Sequence, residues 1–294
     1  MTDPQLSEIE QLEVLGSYID AHYPLPPFTP PWKAQSGDTV DAGPADGWSA
    51  RLPDRLTHAA MLQLGAGLNH AMPGVAYTQD VPVREVPEAS ARLYGADWRS
   101  ATWAVSFHSG GWWRGSGDAL ELQWRPEVAA AASLSGVPIL DVDYPLAPEH
   151  TLPEIIAAAE AAVDYARGQG ADAVVGWGYS SGGALAVALA PLVDALVLTF
   201  PDLDSVPNLP DELRGGVTLA QPQQWPRSLV QIALADEVAA VPEGLKGNDQ
   251  VPSQITVHRF VARHRVSTPA VARARIRDVA EFLESVHPDA QAQE

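Results

Sequence analysis

Apolar positions recur at helical spacing near the start of the chain. Ile9, Leu12, Leu15 and Tyr18 predict a first amphipathic helix over Ser7–Tyr18. The periodicity then lapses. From Pro24 to Trp48 the chain is dominated by Pro, Gly and Asp (PLPPFTPPWK, then SGDTVDAGPADG), a composition that predicts loop. Asp54 can cap a second helix to about Leu68, with Leu56, Met61 and Leu64 on its apolar side. Residues 1–78 thus read as a helical and loop accessory segment, cap-like, ahead of a catalytic domain over 79–294.

After Gly74 the rhythm shortens. Runs rich in β-branched and apolar residues appear at Val81–Val86, Ala91–Tyr94, Thr102–Phe107, Pro138–Val142, Ala173–Trp177, Ala195–Phe200, Leu229–Leu234 and Ile255–Val261. From Thr102 onward, helical segments separate most of them: Ala119–Ser133, Ile155–Arg167, Gly183–Leu192 and Pro269–Val286. Strands that alternate with helices predict an α/β protein with a mostly parallel sheet covered on both faces. The first two runs, joined by a short turn, predict an antiparallel start. The stretch Ala184–Phe200 is apolar but contains Pro191 and Asp194, so it reads as a buried helix, a turn and a strand, not as a membrane span. In such sheets chemistry lies beyond the carboxyl ends of the strands.

Composition narrows the chemistry. The 294 residues hold 18 Lys and Arg against 37 Asp and Glu, a net charge of −19, and the only lysines are Lys33 and Lys246. That balance argues against nucleic acid and against an anionic membrane surface as partners. It also leads us to expect that anionic substrates are disfavoured. With no Cys, a thiol nucleophile, a disulfide framework and Cys-ligated zinc are excluded. The acidic start of the chain lacks a basic region followed by an apolar run, so no signal peptide is read and a cytoplasmic protein is expected.

The strand Ala173–Trp177 runs into Gly178-Tyr179-Ser180-Ser181-Gly182 and then a helix, the G-x-S-x-G arrangement of a strained strand-to-helix turn with an exposed nucleophile at Ser180. The same segment admits a second reading. Gly176, Gly178 and Gly182 imitate a dinucleotide fingerprint, with Asp202 twenty positions past Gly182 for a ribose hydroxyl. That segment alone does not separate the two.

The rest of the chain favours the nucleophile. The strand Thr102–Phe107 ends in His108-Ser109-Gly110-Gly111-Trp112-Trp113, where two glycines let the backbone turn N–H groups toward an oxyanion. A dinucleotide site gives this loop no task. Asp236 follows one later strand and His264 the last, so Ser180, Asp236 and His264 run in the order Ser, acid, His. His258 competes for the base but falls inside a strand. Asp202 or Asp204 competes for the acid, and Glu237 should point away from Asp236.

The segments HSGGWW (108–113), DVDYPLAPEHTLPE (141–154) and GYSSGG (178–183) resemble the hormone-sensitive-lipase branch of the α/β-hydrolases, microbial esterases included. That family shows H-G-G-G, D-Y-R-L-A-P-E-H and G-D-S-A-G-G, and the likeness spans about residues 79–286. It implies an α/β-hydrolase fold with an eight-stranded, mostly parallel sheet and no cofactor or metal. It implies Ser180 as nucleophile, Asp236 as acid and His264 as base, with Gly110, Gly111 and Ser181 as oxyanion donors. His108 would buttress the oxyanion loop. The chain departs from the pattern at Ser109 (for Gly), Pro145 (for Arg) and Tyr179 (for Asp), and its segment between Phe200 and Leu229 is short, which implies a reduced lid.

These readings converge on a serine hydrolase of carboxylic esters with small or medium acyl chains. A thioesterase or amidase on the same triad, and a small-ligand-binding relative without turnover, are the alternatives. Trp112, Trp113, Tyr179 and Trp225, with Trp177, are candidates to line the substrate pocket. The strand Ile255–Val261 is an edge that can pair in a homodimer.

Overall fold

A computed structural model of the chain describes residues 6–247 and 251–286. His287, expected in a frayed tail, lies outside them. Eight strands form one sheet: β1 Val83–Val86, β2 Ala91–Tyr94, β3 Thr102–Phe107, β4 Ile139–Val142, β5 Ala173–Tyr179, β6 Ala195–Thr199, β7 Arg227–Ala233 and β8 Ile255–Phe260. Their spatial order is β1-β2-β4-β3-β5-β6-β7-β8. Strand β2 runs antiparallel to both β1 and β4, and every other pairing is parallel. Each predicted strand is present, and the boundaries differ by two residues at most.

The helices are α1 Glu8–His22, α2 Gly43–Leu64, α3 Pro73–Ala76, α4 Arg125–Ser135, α5 Leu152–Gly168, α6 Ser181–Ala188, α7 Asp211–Arg214 and α8 Pro269–Glu284. A π-helical turn, Leu120–Trp124, leads into α4. One apolar cluster joins Leu152, Ile155, Ala159 and Val163 of α5 and Leu185 of α6 to Val105, Leu140 and Leu196 of the sheet. A second joins Val128 of α4 and Ile276, Val279 and Leu283 of α8 to Ala104, Val175 and Val197. Strands β3 to β6 are buried on both faces, which is why they read as continuous apolar runs with no alternation.

A third cluster packs α1 on α2: Leu12, Leu15, Ile19, Trp48, Leu52 and Leu56 meet Val266 of the loop after β8. Helix α1 opens with a capping box, in which Ser7 and Glu10 are bonded reciprocally. Its buried side includes Ile19, whereas Ile9 is exposed. The second helix corrects the sequence reading. It starts at Gly43, eleven residues before Asp54, and runs through Pro53. Pro44 sits in the first turn, where its missing N–H is no loss, and the row Ala45, Trp48, Leu52, Leu56, Ala59 is buried at spacings of three and four. Packing of that row outweighs the breaking effect of Pro53. Met61, placed by the sequence on the apolar side, is exposed.

Among the described residues no helix is long and apolar enough to cross a membrane. The stretch Ala184–Phe200 resolves into α6, a turn and β6.

Candidate active site

The turn between β5 and α6 carries Ser180 at φ 58°, ψ −120°. A left-handed φ at a non-glycine residue is strained and persists only where surrounding structure over-determines it. Here close packing does so: a Cβ at Gly178 would lie 1.9 Å from the Gly182 carbonyl oxygen. The strand and helix therefore approach too closely for any side chain at Gly178, and the chain turns sharply at Ser180.

Ser180 Oγ lies 2.9 Å from His264 Nε2, and His264 Nδ1 lies 2.9 Å from Asp236 Oδ2. The second Asp236 oxygen accepts the Val238 and Ala239 amides at 2.8 and 2.7 Å. Burial alone would push the Asp236 carboxyl up. The His264 hydrogen bond and charge, with the two amides, outweigh it and hold the group below the usual aspartate value. An acid held as carboxylate, with one oxygen fixed by amides, can keep the proton of a neutral imidazole on Nδ1. That leaves Nε2 free to accept from Ser180.

Two further residues fix the imidazole through its own backbone. Glu237 Oε2 accepts the His264 amide at 2.8 Å, and the Tyr179 hydroxyl donates to the His264 carbonyl at 2.5 Å. The Tyr179 ring also stacks on the imidazole, with centroids 5.4 Å apart. Sequence reasoning set Glu237 aside and read Tyr179 only as a pocket residue. Neither role has a local signal, because both bonds join residues brought together by the sheet order.

None of the competing residues joins the hydrogen-bonded path from Ser180 through His264 to Asp236. His258 pairs with Asp278 of α8 (2.6 Å) on the outer part of β8. Asp204 is exposed in the turn after β6. Asp202 faces the same cavity as the triad but makes no hydrogen bond to His264 among the described contacts. The dinucleotide reading falls on geometry. Gly176 lies inside β5, paired with Val105 and Leu196, so it belongs to no phosphate-binding loop.

The loop after β3 folds over the Ser180 turn. Gly110 has φ 140°, and a Cβ there would sit 1.7 Å from the Arg114 carbonyl oxygen, so this tight reversal excludes any side chain. The motif around Tyr144 braces the loop. Tyr144 donates to the His108 carbonyl (2.8 Å) and stacks on its ring (4.2 Å), and the Ala147 amide donates to the Trp112 carbonyl (2.8 Å). His108 Nδ1 lies 2.6 Å from Ser109 O.

Of the three expected oxyanion donors, the amides of Gly110 and Ser181 make no hydrogen bond among the described residues. Gly111 corrects the expectation. Its amide donates to Ser181 Oγ at 2.9 Å. The family motif has Ala after the nucleophile, and the hydroxyl at Ser181 supplies an acceptor that an alanine lacks.

A cavity of about 240 Å³ opens above Ser180 and His264, walled by Trp113, Tyr179 and, from α2, by Trp48 and Leu52. The sequence did not identify the α2 contribution, since the helix was expected to begin later. Trp112 and Trp225 are corrections. Trp112 is buried in the core with φ 77°, which turns its ring away from the cavity. Trp225 is buried likewise, and its indole N–H donates to the Ala220 carbonyl (2.9 Å). Trp177 is core as well, bonded to Thr199 Oγ1 (3.1 Å).

Residues 104–207 match the family model described as the alpha/beta hydrolase fold. This chain has the α/β-hydrolase fold. Solved structures of that fold align over nearly the whole length. An esterase from the bacterial hormone-sensitive lipase family is 17% identical with a TM-score of 0.58, covering 95% of this chain and 99% of the other. An esterase/lipase from an uncultured bacterium is also 17% identical, with a TM-score of 0.61 over 93% and 97%. The esterase of the archaeon Pyrobaculum calidifontis is 18% identical, with a TM-score of 0.57 over 84% and 94%. No curated protein matches the chain in sequence. The α/β-hydrolase sheet thus brings Ser180, Asp236 and His264, from three loops spread over 85 residues, to one carboxyl edge.

Proposed function

We propose that the chain is a serine hydrolase of carboxylic esters with small or medium acyl groups. The unbroken hydrogen-bond path Ser180–His264–Asp236, beside the unengaged amides of Gly110 and Ser181, carries this reading. His264 Nε2 takes the Ser180 proton as Oγ attacks the ester carbonyl. The carbonyl oxygen, now negative, is held by the Gly110 and Ser181 amides. His264 then gives the proton to the leaving alcohol, and water cleaves the acyl-enzyme by the same steps in reverse. Each amide donor is worth about 3 kcal/mol of barrier. The cavity, at about 240 Å³, suits a short acyl chain better than a long one. Helices α1 and α2 act in this reading as a cap that supplies one wall.

Ser180→Ala tests the reading. Hydrolysis of p-nitrophenyl butyrate should fall by roughly 10³-fold or more with an unchanged circular dichroism spectrum and melting temperature. A folded variant with the wild-type rate would exclude Ser180 as nucleophile.

A further inference from the structure

Three charged side chains besides His264 line the cavity above Ser180: Arg114, Arg265 and Asp202. Two cations against one acid is an inversion of the chain as a whole, where acids outnumber bases 37 to 18. A site's own field, not the net charge, decides what it binds at close range.

Each arginine is paired with an acid outside the cavity lining, Arg114 with Asp46 and Arg265 with Glu237. Arg114 is buried, with a side-chain exposure of 9%, and its Nη1 donates to Asp46 Oδ1 at 3.1 Å. The second Asp46 oxygen accepts the Gly115 amide at 3.3 Å. The Arg114 guanidinium lies over the Phe28 ring at 4.7 Å, and its Nε and Nη2 have no hydrogen-bond partner among the described residues. Neither atom is fully enclosed by protein. Arg265 makes a single long contact, Nη1 to Glu237 Oε1 at 3.3 Å. Burial pushes the Arg114 guanidinium below its ordinary value; Asp46 opposes that shift and the nearby Arg265 charge adds to it. Two guanidinium groups facing one small cavity repel each other, and an anion between them removes the repulsion while filling their open donors.

We propose that the site takes esters bearing a carboxylate, which the open donors of Arg114 and Arg265 bind while the scissile carbonyl lies at Ser180. This rests on the serine-hydrolase reading and names its substrate class. It runs against the expectation drawn from the −19 charge, because Asp46 and Glu237, the acids paired with these arginines, do not line the cavity. Asp202 is the one acid in the wall, against the two arginines.

The test compares kcat/KM for two carboxylate esters with neutral counterparts. The p-nitrophenyl monoester of succinic acid carries its carboxylate on the acyl side and is set against p-nitrophenyl butyrate. 4-Acetoxybenzoate carries it on the alcohol side and is set against phenyl acetate. At least one carboxylate ester should exceed its counterpart by about tenfold or more. In Arg265→Gln that ratio should fall by about tenfold, and Arg265→Lys should recover part of it. Arg114→Gln should lower it too; as Arg114 is buried, the Arg265 pair decides if that variant fails to fold. A structural tie between α2 and the oxyanion loop would change both rates together and leave the ratio alone. Neutral esters cleaved with no carboxylate preference, or a ratio unmoved in Arg265→Gln, would overturn the inference and leave the hydrolase reading standing. No cleavage of any of the four, with no fluorophosphonate adduct at Ser180, would overturn both.

Discussion

The Tyr179 hydroxyl donates to the main-chain carbonyl of His264 at 2.5 Å, across 85 positions of sequence. Tyr179 immediately precedes Ser180, so the same turn that strains Ser180 also reaches over and holds the backbone of His264. With Glu237 on the His264 amide, both polar groups of that peptide segment are fixed from outside. The imidazole is therefore aimed by backbone anchoring as well as by Asp236.

Removing the hydroxyl should loosen the base without touching substrate. In Tyr179→Phe the His264 carbonyl, in a buried residue, loses its donor. Stability should drop by about 1–3 kcal/mol, and kcat by about tenfold, with a smaller change in KM. Thermal melts and steady-state kinetics on one neutral ester check both. An unchanged kcat would show that Asp236 and Glu237 suffice to aim the ring.

Asp236 has a different signature. In Asp236→Asn the side-chain oxygen can still accept the Val238 and Ala239 amides, so the turn should stand. The amide nitrogen, however, would face His264 Nδ1 and favour the tautomer with its proton on Nε2, pointing at Ser180. A fall in kcat of roughly 10³-fold or more with little loss of stability is expected. A large drop in melting temperature with a modest loss in kcat would assign Asp236 a structural part instead.

The eight strands were legible because each is a short β-rich run, most of them bounded by Gly, Pro or Asp, and burial on both faces made the central ones unmistakably apolar. Ser180, Asp236 and His264 were legible because each follows a strand, and in a parallel sheet that puts them on one edge. The start of α2 was not, since Pro44 and Pro53 mark breaks locally while the Ala45–Ala59 row becomes decisive only against α1 and Val266. The rings of Trp112 and Trp225 were misplaced for a related reason. Adjacency to the loop after β3 says nothing about which way a side chain faces when that loop carries positive φ values such as that of Trp112. The Glu237, Tyr179 and Arg114 contacts join segments distant in sequence, so no local pattern announces them.

Asp202 carries a prediction in pH. Burial raises its carboxyl above the ordinary value of 3.8. The folded state then holds the proton more tightly than the unfolded chain, so its effect is to lower stability as pH rises through the raised value. Asp202→Asn removes that burden. The variant should melt above the wild type near pH 7, and the gap should shrink as pH falls toward the ordinary carboxylate value. A gap that grows on acidification would show that the charged carboxylate is instead stabilised in the folded state.

The central claim is that Ser180 is a nucleophile activated by His264. Treatment with a fluorophosphonate, followed by peptide mapping in a mass spectrometer, tests it most directly. One adduct is predicted, on Ser180 in the peptide that contains GYSSGG, formed rapidly in the wild type, slowly in His264→Ala and not at all in Ser180→Ala. An adduct at Ser181 or elsewhere, or equal labelling of all three proteins, would contradict it.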